Sequence, residues 1–449
     1  MENIKISKEK IIKIKDGVLF ILLFWWIITP FLQTLYTTNT LIDKTGIYWI
    51  FMKIMGIIGI VTTTFTIYDR LKKTTNKKET IKQLLPIFLF VIFMIWTLFS
   101  SLQANRKNLA FNGNSYRREG YYMYINYAGF FISAMLLENK KLRKILLSIF
   151  TFISVYLMII NRICMGVKYT NIFVNTRIFN SVFGQFNHYG YYLMMTLICS
   201  LGLYITEKNK KLKIAYLLAY IIIGYALIYN DTFGCYLAVL VVLVMYAIYA
   251  LIKKINRKSI FIAIMIFAIL SGVTTKSGKF LAYENMKQLG QDIKIILFKT
   301  MNIETEVIEG EEVDVDEKFE ETGTNRMQLW INGIKFALKK PIIGYGPDNL
   351  KDEYLRAGIN QDRPHNLIIY LACVSGFPGM LLYVTAVGTI VIIGIKKLLQ
   401  GDQNGKIYLM IVIAYLISSM FGNSMYYTSP YLFIFLGSLM HYNLKEKEE

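Results

Sequence analysis

Apolar runs close to twenty residues long, separated by short charged stretches, recur along almost the whole chain. A bilayer core of about 30 Å is crossed by about 20 helical residues, so each such run predicts a membrane-spanning helix. Twelve are expected, near 17–36, 47–68, 84–102, 121–137, 145–161, 187–206, 214–230, 233–252, 259–275, 366–395, 407–424 and 427–443. One connector, 276–365, is long enough to form a layer outside the membrane. Every second connector among the rest is rich in lysine.

Lysine and arginine hold loops on the cytoplasmic side. More than half of the 50 basic residues lie in the two tails and in 70–82, 140–144, 208–213, 253–258 and 396–406. This alternation predicts a multi-pass protein of the cell membrane with both termini cytoplasmic and 276–365 outside. The basic stretch ending at Lys15 precedes a run that is long enough to span and lacks a small-residue cleavage site, so it is expected to stay as an anchor. The expected fold class is an all-α polytopic membrane protein of about 12 transmembrane helices with one long extracytoplasmic loop.

Composition narrows the function classes. At 55% hydrophobic, 18% charged and a mean hydropathy of +0.42, the chain is neither a set of soluble domains nor a disordered polymer. Its net charge of +20 is scattered between apolar runs. Nucleic-acid binding needs a continuous cationic face, so no such partner is expected. Cys164, Cys199, Cys235 and Cys373 fall in or beside apolar segments without paired spacing, which argues against disulfides and zinc and for apolar packing.

The arginines break the lysine pattern. Arg70, Arg143 and Arg257 fall on the cytoplasmic side, whereas Arg106, Arg117, Arg118, Arg162, Arg177, Arg326, Arg356 and Arg363 fall outside. Topology needs only positive charge, which lysine supplies. A planar guanidinium gripping an oxyanion with two parallel donors is not replaceable by lysine, so the outer face is expected to hold phosphate or carboxylate. The competing reading has these arginines capping helices and pairing with local acids. Lys53, inside the second span, is expected to snorkel towards the outer interface.

Within the long connector, 304–321 holds ten acids and one lysine. It lacks the glycine and alternating oxygen ligands of a calcium loop and is expected to be a solvated, extended insert. Next comes 326–338, with Met327, Leu329, Trp330, Ile334 and Leu338 near helical spacing. That predicts an amphipathic helix on the membrane surface, ended by Lys339, Lys340 and Pro341. Gly344-Tyr-Gly346-Pro has no preceding strand, third glycine or following Lys-Ser/Thr, so it is read as a tight turn and not a nucleotide loop. No Asp-x-Asp pair flanks the outer mouths of the early helices, so no metal is expected, and arginine must neutralise any bound diphosphate.

Of the three histidines, His441 is expected at the cytoplasmic interface, and His188 opens the sixth span as either a helix-start residue or a substrate contact. His365, in Arg363-Pro-His365-Asn366, sits where the long connector re-enters the membrane. After it a short apolar stretch breaks at Gly376-Phe-Pro378-Gly379. An imidazole beside arginine at the mouth of a bundle suits proton abstraction from a hydroxyl. A helix-start role is the alternative.

Three motifs in order resemble those of the O-antigen ligase/polymerase superfamily over about 177–384. They are Arg177-Ile-Phe-Asn-Ser-Val-Phe-Gly184-Gln-Phe-Asn187; Arg326-Met-Gln-Leu-Trp330 with Pro341-x-x-Gly344-x-Gly346; and His365-Asn366 with Gly376 and Gly379. Arg117-Arg118-Glu119-Gly120 resembles an upstream element of some members. Gln185-Phe-Asn187 departs from the usual asparagine-proline-asparagine, and the acidic insert before Arg326 is unusual.

The resemblance implies a C-type glycosyltransferase-like membrane enzyme, metal-independent and without a cofactor. Such an enzyme moves a glycan from an undecaprenyl-diphosphate carrier to an acceptor hydroxyl of a glycan, lipid or protein on the outer face. Carried over by motif, Arg177 and Arg326, with Arg117 and Arg118, would bind diphosphate, Asn187, His188 and Asn366 would contact substrate, and His365 would act on the acceptor. The implied organisation is N-terminal helices over 1–176, the ligase/polymerase-like region over 177–384 and C-terminal helices over 385–449. Polymerase and ligase stay open, since only the acceptor separates them. The alternative is a transporter or flippase of a lipid-linked glycan, although no internal repeat of the kind common in transporters is visible.

Overall fold

The structure is a computed structural model and describes residues 8–35, 47–164, 181–183, 185–301, 305–308, 311–423 and 425–444. Among the described residues, the elements as far as residue 273 are all helical: α1 (Lys8–Gln33), α2 (Ile47–Lys73), α3 (Lys77–Leu102), α4 (Lys107–Asn112), α5 (Tyr121–Leu136), α6 (Lys140–Cys164), a 3-10 turn (Ser181–Phe183), α7 (Phe186–Thr206), α8 (Lys210–Asn230), α9 (Phe233–Lys253) and α10 (Arg257–Val273). The long connector follows, with the hairpin β1 (Thr275–Lys276) and β2 (Lys279–Phe280), then α11 (Leu281–Thr300), the hairpin β3 (Thr305–Ile308) and β4 (Glu311–Asp314), α12 (Val315–Lys339) and α13 (Lys351–Arg356). The chain closes with α14 (Leu367–Leu399), α15 (Lys406–Ser419) and α16 (Ser429–Leu444).

A helix lies at each of the twelve expected runs. Seven of the described helices are long and apolar enough to cross a membrane: α2, α3, α6, α7, α8, α9 and α14, while α15 is a shorter apolar helix. The protein is therefore an all-α polytopic membrane protein. Short polar connectors set the helix starts. Asn76 accepts from Glu79 N, and Asn209 accepts from Lys211 N and Leu212 N, which satisfies donors that have no partner inside the helix.

Helix α7 is the hub, buried along nearly its whole length from His188 to Ile205 and packed on α6, α8 and α15. Helix α5 is clasped between α2 and α16. The aromatic content fills this core, with Trp26, Phe130, Phe150, Tyr192 and Tyr431 in successive ring contacts. Cys199, Cys235 and Cys373 are buried and free, as the sequence reading has them; the Cys164 side chain lies outside what the structure describes. Lys53 is exposed on α2 and His441 is buried in α16.

The long connector departs from expectation twice. Its acidic stretch is not an extended insert: β3 pairs antiparallel with β4, and α12 starts at Val315. Asp314 caps this helix by accepting from Asp316 N and Glu317 N. Carboxylates in a first turn interact favourably with the helix N-terminus, so the acidity that argued for an extended chain supports helix formation here. The second departure is α12 itself. Leu329, Phe336 and Ala337 bury against Tyr345, Leu350, Tyr354 and Tyr370, while Ile334 and Leu338 are exposed. Part of the expected apolar face, Leu329 and Trp330, thus packs on α14 and the 341–350 turn rather than on lipid.

Candidate active site

Helix α14 is two helices joined at Gly376, whose φ of 68° and ψ of 173° interrupt the spiral. A helix ending inside a protein leaves carbonyls to be satisfied, and the 341–346 turn does this. Tyr345 N donates to Cys373 O and Gly346 N to Val374 O, both at 2.9 Å. Ser100 Oγ and Trp96 Nε1 of α3 donate to Val374 O and Ser375 O at 2.6 and 2.9 Å. Phe377 N donates to Pro341 O at 2.8 Å and restarts the second half. Gly344 and Gly376 both lie at positive φ, and a Cβ at Gly376 would stand 2.1 Å from Ile342 O, so a larger residue is excluded there. The expected turn at Gly344 and the expected break at Gly376 are two sides of one junction.

The first half of α14 is capped by Asn366, whose side-chain oxygen accepts from Ile368 N and Ile369 N while Nδ2 donates to Met420 O at 3.2 Å. The helix-start role therefore belongs to Asn366. His365, just before it, has a φ of 53° and an Nδ1 without a hydrogen-bond partner among the described residues. A left-handed non-glycine residue persists only where its surroundings hold it.

What holds it is a buried ionic latch. Arg117 grips Asp362 with two parallel donors, Nε to Oδ2 and Nη2 to Oδ1, each at 2.8 Å. Arg363, 1% exposed, donates to Glu119 at 3.2 Å and to Asp348, with its guanidinium over the Tyr370 ring at 4.5 Å. Glu119 also accepts from Tyr127 at 2.6 Å and Ser429 at 3.3 Å, and Asp348 accepts from Asn114 N at 2.9 Å. Burial works against both charges of this cluster, yet Asp348, Tyr370 and Glu119 together hold the Arg363 pKa well above its usual value. Burial would also raise Asp362, but the Arg117 contacts hold its carboxyl below the usual range. Removing one partner of such a set leaves an uncompensated buried charge, which costs about 3–5 kcal/mol.

His365 then faces a small polar cavity of about 30 Å³. Asn187 and His188 from the start of α7, Arg326 from α12 and His365 all line it, with Tyr191, Ser418 and the 421–423 stretch after α15. Residues from three separated motifs meet at one place. His188 is 2% exposed and stacks on Tyr427 with ring centroids 5.6 Å apart. Neither of its ring nitrogens has a hydrogen-bond partner among the described residues. Buried polar groups are nearly always paired, and here two imidazoles present open nitrogens in one cavity.

Arg326 differs from its neighbours. Arg106, Arg117, Arg356 and Arg363 each pair with acids, but only the Arg356 partner, Glu353, is local in the chain. Arg326 has no ion-pair partner among the described residues, and its Nη1 donates to Gly323 O at 3.3 Å. Burial lowers its pKa, opposed by Tyr191 and Asp292, and a guanidinium so shifted stays charged. The His365 imidazole is pushed down to about 4, first by burial and then by the charges of Arg117, Arg326 and Arg363, with Asp362 opposing. It is neutral at physiological pH.

Of the other expected site residues, Arg118 is buried with its guanidinium over the Tyr426 ring at 5.8 Å, and Arg177 lies outside the described residues. Sequence reasoning missed Glu119, Asp348 and Asp362 as the arginines' partners, along with Tyr191, Ser418 and 421–423. The acids lie far along the chain from the arginines they meet, and no local spacing signals them.

Among curated proteins compared with the chain, none matches. A family model described as O-antigen ligase matches residues 217–384, a stretch holding Arg326, the Gly344 turn, His365 and the Gly376 junction. That match bears out, over this part of the chain, the resemblance to the O-antigen ligase/polymerase superfamily carried by the motifs that the fold gathers into one cavity.

Proposed function

We propose that this protein is a membrane glycosyltransferase that moves a glycan from an undecaprenyl-diphosphate carrier to an acceptor hydroxyl on the outer face of the cell membrane, as a surface-polysaccharide polymerase or ligase. The observation that carries the reading is the cavity in which Arg326, without an ion-pair partner among the described residues, meets His365, His188 and Asn187. In the same reading the twelve helices are twelve spans, both termini are cytoplasmic, and 276–365 is extracytoplasmic.

In the reaction, the bond between the sugar anomeric carbon and the diphosphate oxygen breaks while the acceptor oxygen bonds to that carbon. Charge builds on the departing diphosphate. Arg326, with Arg177, stabilises it more in the transition state than in the ground state, which is what accelerates a reaction. Arg117 and Arg118 contribute positive potential beside them. The acceptor proton passes to His365, and undecaprenyl diphosphate leaves. A base near pKa 4 is weak, but the arriving diphosphate offsets the cations that depress it and brings the imidazole closer to working pH. Asn187 and His188 contact the sugar, and Asn366 acts through His365 by fixing the helix start behind it.

Arginine supplies the charge that a metal would otherwise bring, so transfer should survive chelator; abolition by EDTA with rescue by Mg²⁺ would reverse this part. Purified protein given a synthetic undecaprenyl-diphosphate oligosaccharide tests the rest. Lengthened lipid-linked glycan identifies a polymerase, and transfer to a different acceptor identifies a ligase. Unchanged donor across all acceptor classes would overturn the proposal.

A further inference from the structure

At the opposite, lysine-rich end of the bundle lies the larger cavity of about 280 Å³, between α9, α14 and α15. Its walls are apolar, formed by Val242, Ile248, Tyr249, Ile395, Leu409 and Ile413 among others, and Ile248 is half exposed, so the space opens towards lipid. Its rim is cationic. Lys253 lines it, Lys254 ends α9, Arg257 and Lys258 open α10, and Lys396 and Lys406 flank it on α14 and α15, against the single acid Asp402 in the loop between those helices.

Lys406 is the unusual member. Its side chain is 4% exposed, and its ammonium reaches Gln403 Oε1 at 3.1 Å and the hydroxyl of Tyr246, a cavity residue, at 3.3 Å. An ammonium has three donors, and among the described residues no acid pairs with this one. A charge taken out of water without a counter-charge is costly, so a buried lysine at the edge of an apolar cavity implies an anionic partner. At a membrane interface the partner that combines negative charge with hydrocarbon is a lipid, and basic pockets between helices on the cytoplasmic side hold anionic headgroups.

We propose that this cavity binds one anionic phospholipid of the lysine-rich leaflet, its phosphate meeting Lys406 and Lys253 and an acyl chain entering between α9, α14 and α15. The site is remote from the His365 cavity and independent of the reaction proposed there. Bound from the leaflet opposite the chemistry, the lipid would fasten α14 and α15, the helices that carry Asn366 and Ser418 at their other ends.

Native mass spectrometry of the delipidated full chain, titrated with phosphatidylglycerol or with phosphatidylcholine of identical acyl chains, tests this. One phosphatidylglycerol should be retained in preference to phosphatidylcholine, and Lys406→Gln should weaken that retention roughly tenfold, as loss of a charge-assisted contact does. Ile248→Trp, which crowds the cavity without altering charge, should do likewise, while Lys213→Gln at the lysine-rich start of α8 should not. Should Lys406→Gln fail to fold, the Ile248→Trp and Lys213→Gln pair decides. Equal retention of both lipids, or equal losses from Ile248→Trp and Lys213→Gln, would show only diffuse surface attraction and overturn the proposal.

Discussion

Replacing Arg326 by lysine separates charge from geometry at the proposed diphosphate site. The side chain has five N–H donors and, among the described residues, makes one long hydrogen bond, 3.3 Å to Gly323 O, and no ion pair. Little of the fold depends on it, so Arg326→Lys and Arg326→Ala should both insert at normal abundance. Two parallel charge-assisted bonds to a diphosphate oxygen pair are another matter. Losing one such contact costs about 1.5–3 kcal/mol, which is roughly ten- to hundredfold in rate. Lysine keeps the charge but has no fork, so its kcat/KM should lie within about threefold of the alanine variant and far below wild type. The assay is transfer from a synthetic lipid-diphosphate donor at subsaturating concentration, with protein amount checked independently. Near-wild-type transfer by Arg326→Lys would refute bidentate recognition and leave Arg326 as a source of positive potential.

Other consequences follow from the same geometry. His365→Ala should lose transfer by about 10²–10⁴ while still binding donor, because its role is with the acceptor; loss of donor affinity equal to that of Arg326→Ala would make it a diphosphate contact instead. Since a base works when unprotonated and His365 sits near 4 in the free protein, kcat/KM should be flat from pH 8 to about 5 and fall below that, with the acid limb of kcat at higher pH once diphosphate is bound. A kcat/KM limb at 6.5 or above would contradict this. Arg363→Met should lower stability by about 3–5 kcal/mol, read as loss of folded protein in a thermal-shift assay, because Glu119 and Asp348 are left buried and unpaired; an unchanged melting temperature would remove the latch from the account. A cysteine at the exposed Ala357, after α13, should react with an impermeant thiol reagent in intact cells, and labelling only after lysis would reverse the orientation.

The helices were legible because an apolar run between lysine clusters has few alternatives to a helix in lipid. Chain-local features of the site were legible too: the Gly376 break, the Gly344 turn and the His365-Asn366 pair each depend on their own residues. Long-range pairing was not. Arg117 and Arg363 looked like the other outer arginines, and only the fold brings Asp362 and Glu119 to them. Helix α12 was legible as a helix ended at Lys339, but its packing was not, since Tyr354 and Tyr370, which cover the side marked by Leu329 and Phe336, come from later elements. The acidic stretch was misjudged because charge was weighed as repulsion, without the cap at Asp314 that uses it.

In the proposed mechanism the carrier bond is broken in the cavity shared by Arg326 and His365. Proteoliposomes holding the purified protein and a lipid-linked oligosaccharide, with acceptor supplied, test it most directly by measuring released undecaprenyl diphosphate against transferred glycan. The account predicts equal amounts of the two, both abolished in the His365→Ala protein. Intact lipid-linked oligosaccharide appearing in the opposite leaflet, with no diphosphate released, would contradict it and identify a transporter.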